Sequence, residues 1–81
     1  MNVRVRLFAV AREVAGRDVL AVELTSGAKV ADVRRALVAA VPALEPVLSH
    51  SLVAVDAQYA ADATPVDEHS EIALIPPVSG G

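Results

Sequence analysis

The sequence predicts an α+β fold, a mixed sheet of four to five strands packed on one main helix. Three features predict it. The stretch "NVRVRL" near the start alternates polar and apolar residues. One strongly amphipathic helix pattern occupies "KVADVRRALVAAV". A short apolar run, "IALI", stands close to the end. The chain has 81 residues and no cysteine, so its core must stabilise it without disulfides. A domain of this size buries only about 60% of the surface its unfolded chain exposes. A hydrophobic content of 54% makes a dense enough core feasible.

The elements follow in order. Val3, Val5, Leu7 and Ala9 alternate with Arg4, Arg6, Phe8 and Val10, which predicts a strand with the first set facing the core. "AREVAG" gives one or two helical turns ended by Gly16. "DVLAVELT" predicts a second strand with Leu20, Val22 and Leu24 inward. It forms a hairpin with the first through a compact turn at Gly16-Arg17. Val30, Val33, Leu37 and Val41 then recur at i, i+3, i+7 and i+11, which is one helix face. Asp32, Arg34 and Arg35 are expected to point away from it. Pro42 ends this helix near Val41. The helix start is less well specified, because Ser26 is a candidate cap but Gly27-Ala28-Lys29 intervenes.

"ALEPVLSHS" predicts a turn-rich connection and "LVAVD" a strand. "AQYAADATPV" predicts a short strand around Tyr59 followed by a loop, and "DEHS" a polar turn. "EIALI" is apolar almost throughout, so it is expected to be a central strand covered on both faces. The helix carries the chain from the second strand to the rest of the sheet, and the last strand is expected beside the first, in parallel. This order is that of a β-grasp domain over residues 1–75, with a tail over 76–81. The tail is expected to be flexible beyond Pro77, where nothing local ties it down.

Composition excludes several functions. A net charge of −3 opposes nucleic acid as the main partner, since phosphate binding needs a basic face. No apolar run approaches the roughly 20 residues of a membrane span, and "MNVRVRLFAV" does not read as a signal peptide. The expectation is a soluble, cytoplasmic domain. Asp67, Glu68 and Glu71 fall in a solvated polar turn. His50 and His69 lack a third ligand at metal-binding spacing, so no metal site is expected. Ser49-His50-Ser51 are adjacent loop residues and do not make a catalytic triad, which is defined by geometry. Four glycines cannot build a phosphate loop. The chain offers no internal active site.

It does offer its end, "PPVSGG". Six residues from Pro76 to Gly81 can reach roughly 20 Å when extended. Pro76 and Pro77 have fixed φ and no N–H, so they stop a sheet ladder and launch the chain outward. Gly80 and Gly81 can pass through a tunnel that any Cβ would block. The reactive group at such a tip is the α-carboxylate of Gly81. Transfer of AMP to it would give a good electrophile. A sulfur nucleophile would then make a thiocarboxylate, and an amine an isopeptide. Either way the domain is a carrier and its partners hold the catalytic residues.

The stretches "VRVRLFAVAREVAG", "GAKVADVRRAL", "SLVAVDAQYA" and "IALIPPVSGG" together resemble the small, ubiquitin-like sulfur-carrier subunits of molybdopterin synthase, over nearly the whole chain. "PPVSGG" is the most specific piece, and "LFAVARE" distinguishes this group from the shorter thiamine-pathway carriers. The resemblance implies a cycle. An activating enzyme uses Mg-ATP to adenylate Gly81, and a persulfide donor converts it to a thiocarboxylate. The tail (Pro77, Val78, Ser79, Gly80, Gly81) inserts into a large catalytic subunit, which builds the dithiolene of molybdopterin from cyclic pyranopterin monophosphate. The assembly implied is a heterotetramer, with a large-subunit dimer carrying one small subunit at each end. No bound cofactor is expected, only the covalent acyl-adenylate or thiocarboxylate on Gly81. The resemblance also implies docking through apolar residues of an exposed sheet face. Phe8 and Ile75 are the candidates, with core packing as the competing reading. Arg12 matches the arginine of the group's "ARE" and is a candidate for pairing with acidic partner groups, with an ordinary solvated arginine as the competing reading. Three departures from the pattern stand out. Asp56 replaces a common Asn, His69-Ser70 a common Gly-Asp, and Lys29 a common Thr or Ser helix cap. Carriers for thiamine or cysteine and ubiquitin-like modifiers are the alternatives, because tail chemistry alone does not separate them.

Overall fold

A computed structural model of the chain describes residues 1–77. Strand β1, Asn2–Leu7, realises the predicted alternation, with Val3, Val5 and Leu7 buried and Asn2, Arg4 and Arg6 exposed. The strand stops two residues short of its expected inward set. Ala9 is exposed and turns at φ 50 into a short helix, α1, Ala9–Ala15. Gly16 closes α1 at φ 74, and its N–H donates to the Arg12 carbonyl. β2, Val19–Glu23, returns antiparallel to β1, with Val3 opposite Val22 and Val5 opposite Leu20. The two strands therefore pair as expected, and the connection is the expected two helical turns closed at Gly16, starting at Ala9. Leu20 and Val22 are buried, while Leu24 lies past the strand end and is only half-buried.

Helix α2 runs Val30–Ala40 and buries Val30, Val33 and Leu37 completely. Val41 ends it, and Pro42 opens a 3-10 turn, Pro42–Leu44, which leads into a four-residue helix, α3, Glu45–Leu48. The predicted turn-rich connection is thus helical, and it adds Leu44 and Leu48 to the core. The start of α2 is capped at Lys29, not Ser26. The Asp32 carboxylate accepts the Lys29 backbone N–H at 2.9 Å, satisfying one of the helix's orphan donors. The lysine side chain, a donor only, cannot accept the N–H a serine or threonine cap would take, and the Ala31 N–H goes instead to the Asp62 carbonyl at 3.0 Å.

Three strands follow: β3, Leu52–Val55; β4, Gln58–Ala60; and β5, Ile72–Ile75. β3 and β4 are joined by Asp56 and Ala57, both left-handed at φ 51 and φ 67. The turn before β5 is held by Asp67, whose carboxylate accepts the His69 N–H at 2.8 Å. His69 and Ser70 do not need a positive φ there. The sheet order is β2-β1-β5-β3-β4, with β5 parallel to β1 and antiparallel to β3. This is the expected β-grasp arrangement, with α2 covering one face.

Two expectations are corrected. β5 is central, yet it is covered on one face only. Ile72 and Leu74 are buried against the helices, whereas Ala73 and Ile75 are half-exposed on the other side. The helical layer is one helix thick and lies on a single face of the sheet. Arg34, expected to point into solvent, reaches instead across α2 to α3 and the start of β3. Its guanidinium donates to the Leu48 carbonyl at 2.9 Å, the Ser51 carbonyl at 3.0 Å and the Asp62 carboxylate at 3.1 Å.

Candidate functional site

The site is built where β5 ends. Leu52 pairs with Ile75 at the last position of the β3–β5 ladder. Pro76 is buried and Pro77 exposed. Neither proline has an N–H to continue the ladder, so the chain leaves the sheet here. Of the predicted tail-insertion residues, Pro77 is placed at this exit. Val78, Ser79, Gly80 and Gly81 lie outside the described residues.

The open face around the exit is apolar. Side chains alternate along a strand, so the residues flanking buried Val53 and Leu74 share the uncovered side. They are Leu52 and Ala54 on β3 and Ala73 and Ile75 on β5, matched by register as Leu52 with Ile75 and Ala54 with Ala73. Tyr59 lies opposite Ala54 on β4. Phe8, just beyond β1, borders the same shallow concavity together with Tyr59 and Ile75. Phe8 is 41% exposed, Leu52 53% and Tyr59 69%.

Phe8 and Ile75, the sequence candidates, are therefore brought together on one face, and neither is core. Arg12 sits one helical turn after Phe8, its N–H directed at the Phe8 carbonyl at 3.4 Å. It belongs to α1, beside the sheet face, and pairs loosely with Asp18 at 3.8 Å, both side chains exposed. Leu52 and Tyr59 were not singled out from sequence. Leu52 lies in the apolar run "LVAV", where periodicity does not tell one face from the other, and Tyr59 acquires its position only through the register with Ala54.

Polar groups at the site are few. The Arg6 guanidinium lies 5.7 Å from the Phe8 ring centre, within range of a cation–π contact. Ala9, next to Phe8, occupies a left-handed conformation that costs an alanine about 1 kcal/mol. Among the described residues no group of three or more His, Cys, Asp or Glu side chains could hold a metal ion. His69 lies 3.7 Å from Glu68, both exposed, and His50 is exposed in the loop before β3. No helix among the described residues is long and apolar enough to cross a membrane. The Asp32 carboxyl is held below the usual aspartate range, first by the Lys29 N–H and then by Arg35. That shift belongs to the α2 cap and not to this face. The geometry is that of an open apolar face beside the point where the chain leaves the sheet.

A profile of the ThiS family matches residues 5–81. The molybdopterin synthase sulfur carrier subunit of Arabidopsis thaliana is 37% identical over 81 residues, covering 100% of this chain and 84% of its own length. That of Chlamydomonas reinhardtii is 37% identical over 83 residues, covering 100% of both chains. The crystal structure of SAMP1, small archaeal modifier protein 1, from Haloferax volcanii is also similar. It superposes with a TM-score of 0.89 at 36% identity, covering 100% of both chains.

Proposed function

Since this chain belongs to the ThiS family, we propose that it is the sulfur carrier subunit of a molybdopterin synthase, with the carboxylate of Gly81 as the carrying group. The full-length likeness to two curated sulfur carrier subunits carries this reading. The exit at Pro76-Pro77 supports it, because a strand paired on both sides gives the tail a rigid base.

The chemistry runs on partners. A Gly81 carboxylate oxygen attacks the α-phosphate of Mg-bound ATP in an activating enzyme, and pyrophosphate leaves. A persulfide sulfur then attacks the acyl carbon and AMP leaves; a second thiol of the sulfurating partner attacks the resulting acyl disulfide, which releases the thiocarboxylate and leaves a disulfide on that partner. In the synthase's large subunit that sulfur passes to cyclic pyranopterin monophosphate. This chain contributes three things. β5 fixes the base of the tail, the prolines limit the entropy lost when the tail is captured, and the terminal glycines present no Cβ to a narrow channel. Phe8, Leu52, Tyr59 and Ile75 dock the partner, with Arg12 at the rim. With no cysteine, the chain has no thiol of its own to attack the activated tip.

Intact-mass measurement after incubation with the cognate activating enzyme, Mg-ATP and a sulfur donor tests the proposal. The expected shift is that of one oxygen replaced by sulfur, mapped to Gly81. Deleting Gly81 should abolish the shift and leave the thermal unfolding midpoint unchanged, because the last strand ends at Ile75. An unshifted wild-type mass, or a truncated chain that still supports molybdopterin formation, overturns the reading. The likeness to small archaeal modifier protein 1 favours a second reading, in which Gly81 forms isopeptides. That reading predicts Gly-Gly remnants on lysines of other proteins after proteolysis. Thiamine- or cysteine-pathway carriage would give the same mass shift but no sulfur transfer with the synthase large subunit.

A further inference from the structure

The open sheet face has a second half that the apolar patch does not explain. Arg4 and Arg6 stand on β1, two residues apart and both exposed. Their cross-strand neighbours are Ala21 for Arg4, and Val19 and Ala73 for Arg6. An acid directly opposite such a residue would stabilise the sheet. None of the chain's ten acidic residues stands at these paired positions, although Glu71 directly precedes β5 and Glu23 ends β2 on the same side of the sheet. Glu68 and Glu71 border the same shallow concavity as Arg4 and Arg6. Among the described residues neither comes within 4.0 Å of an arginine nitrogen, and Glu68 faces His69 instead.

Other arginines are treated differently. Arg12 pairs with Asp18, Arg34 with Asp62 and Arg35 with Asp32. Arg17, in the loop after α1, is exposed and resembles Arg4 and Arg6 in having no such partner among the described residues. Arg4 and Arg6 differ from it in their setting. They lie on a rigid strand, aligned on one face, and Arg6 also borders the apolar patch through Phe8. The cationic strip and the docking patch are therefore one continuous surface.

Resting on the carrier reading, we infer that Arg4 and Arg6 engage acidic side chains on the large subunit of the synthase and fix the register in which the apolar patch docks. Apolar contact is non-directional. Guanidinium–carboxylate pairs are directional and can be bidentate, so they select one orientation of an otherwise slippery patch. The chain as a whole carries −3, which opposes approach to an acidic surface. Screening confines exposed charges to a range of about 10 Å, so the local strip governs the final approach. Rim charges of this kind act chiefly on association rate and its salt dependence.

The test measures association of the full chain with its cognate large subunit by stopped-flow, from about 0.05 M to about 0.5 M salt. The double variant R4A/R6A should associate about ten-fold more slowly at low salt. Its salt dependence should flatten, and its rate should converge on wild type at high salt. R4K/R6K should keep most of the salt dependence. E68Q/E71Q should associate at least as fast as wild type. Circular dichroism and thermal unfolding check that each variant folds, as exposed positions on a formed strand allow. Equal rates and equal salt slopes for wild type and R4A/R6A overturn the inference while leaving the carrier reading intact. Slower association of E68Q/E71Q overturns it as well, by assigning the contact to the acids. A wild-type chain that fails to bind the large subunit overturns the carrier reading, and this inference with it.

Discussion

Arg34→Ala should destabilise the fold more than an ordinary change on the outer side of a helix. The guanidinium ties α2 to two backbone carbonyls, those of Leu48 and Ser51, at 2.9 and 3.0 Å. Both contacts are partly buried, and the arginine side chain is only 25% exposed. Charge-assisted bonds to partly buried carbonyls contribute about 1 kcal/mol each once some water compensation is allowed. The Asp62 partner is 68% exposed, so that pair is worth only about 0.5 kcal/mol. Together, before any loss of packing along the aliphatic stem, these come to about 2.5 kcal/mol. In a domain of this length that lowers the thermal midpoint by about 10–20 °C.

Urea unfolding followed by circular dichroism measures it, with the slope of free energy on denaturant expected to be unchanged. Arg34→Lys should recover less than half of the loss. One ammonium cannot reproduce a fork that reaches two carbonyls and a carboxylate. The effect also bears on the site. Ser51 precedes Leu52, whose pairing with Ile75 closes the sheet beside the tail exit. A variant within about 0.5 kcal/mol of wild type, the range of ordinary surface substitutions, would refute the reasoning. So would a lysine variant as stable as the arginine.

Two further outcomes concern the local devices of the fold. Ala57→Gly should raise stability by about 0.5–1 kcal/mol, seen as a higher urea midpoint. Ala57 sits at φ 67, and relief of that strain outweighs the added freedom of the unfolded glycine. Asp32→Asn should weaken the start of α2 and change the acid limb of stability. The Asp32 carboxyl is held below its ordinary range by the Lys29 N–H and then Arg35. Its contribution is therefore complete above the ordinary aspartate range and is lost as pH falls through the lowered folded-state value. Below the ordinary aspartate range, thermal midpoints of wild type should decline with falling pH more steeply than those of the asparagine variant. Parallel profiles for the two would remove Asp32 from the account.

Much of this protein is legible from local pattern. Val3, Val5 and Leu7 alternate in sequence and are buried in the fold. Val30, Val33 and Leu37 share a helix face and line the core. Both follow from the periods of strand and helix, which act over a few residues and survive any tertiary context that covers one side. The Pro76-Pro77 break is equally local, since a missing N–H ends a ladder wherever it occurs. The expectation of a carrier rests on the same kind of local feature, two glycines without a Cβ.

Tertiary structure decided the rest. "IALI" is apolar at every position, so its pattern could not say that Ala73 and Ile75 would face outward. That depended on helices covering only one side of the sheet. Leu52 and Tyr59 became surface through strand register, a property of pairs and not of segments. Arg34 looked like a solvent-facing helix residue, and its three partners lie 14, 17 and 28 residues further along the chain. The pairing left unmade at Arg4 and Arg6 is visible only once Ala21, Val19 and Ala73 are known to be their neighbours. Periodicity encodes which residues share a face, but what that face meets is fixed by contacts between segments far apart in the chain.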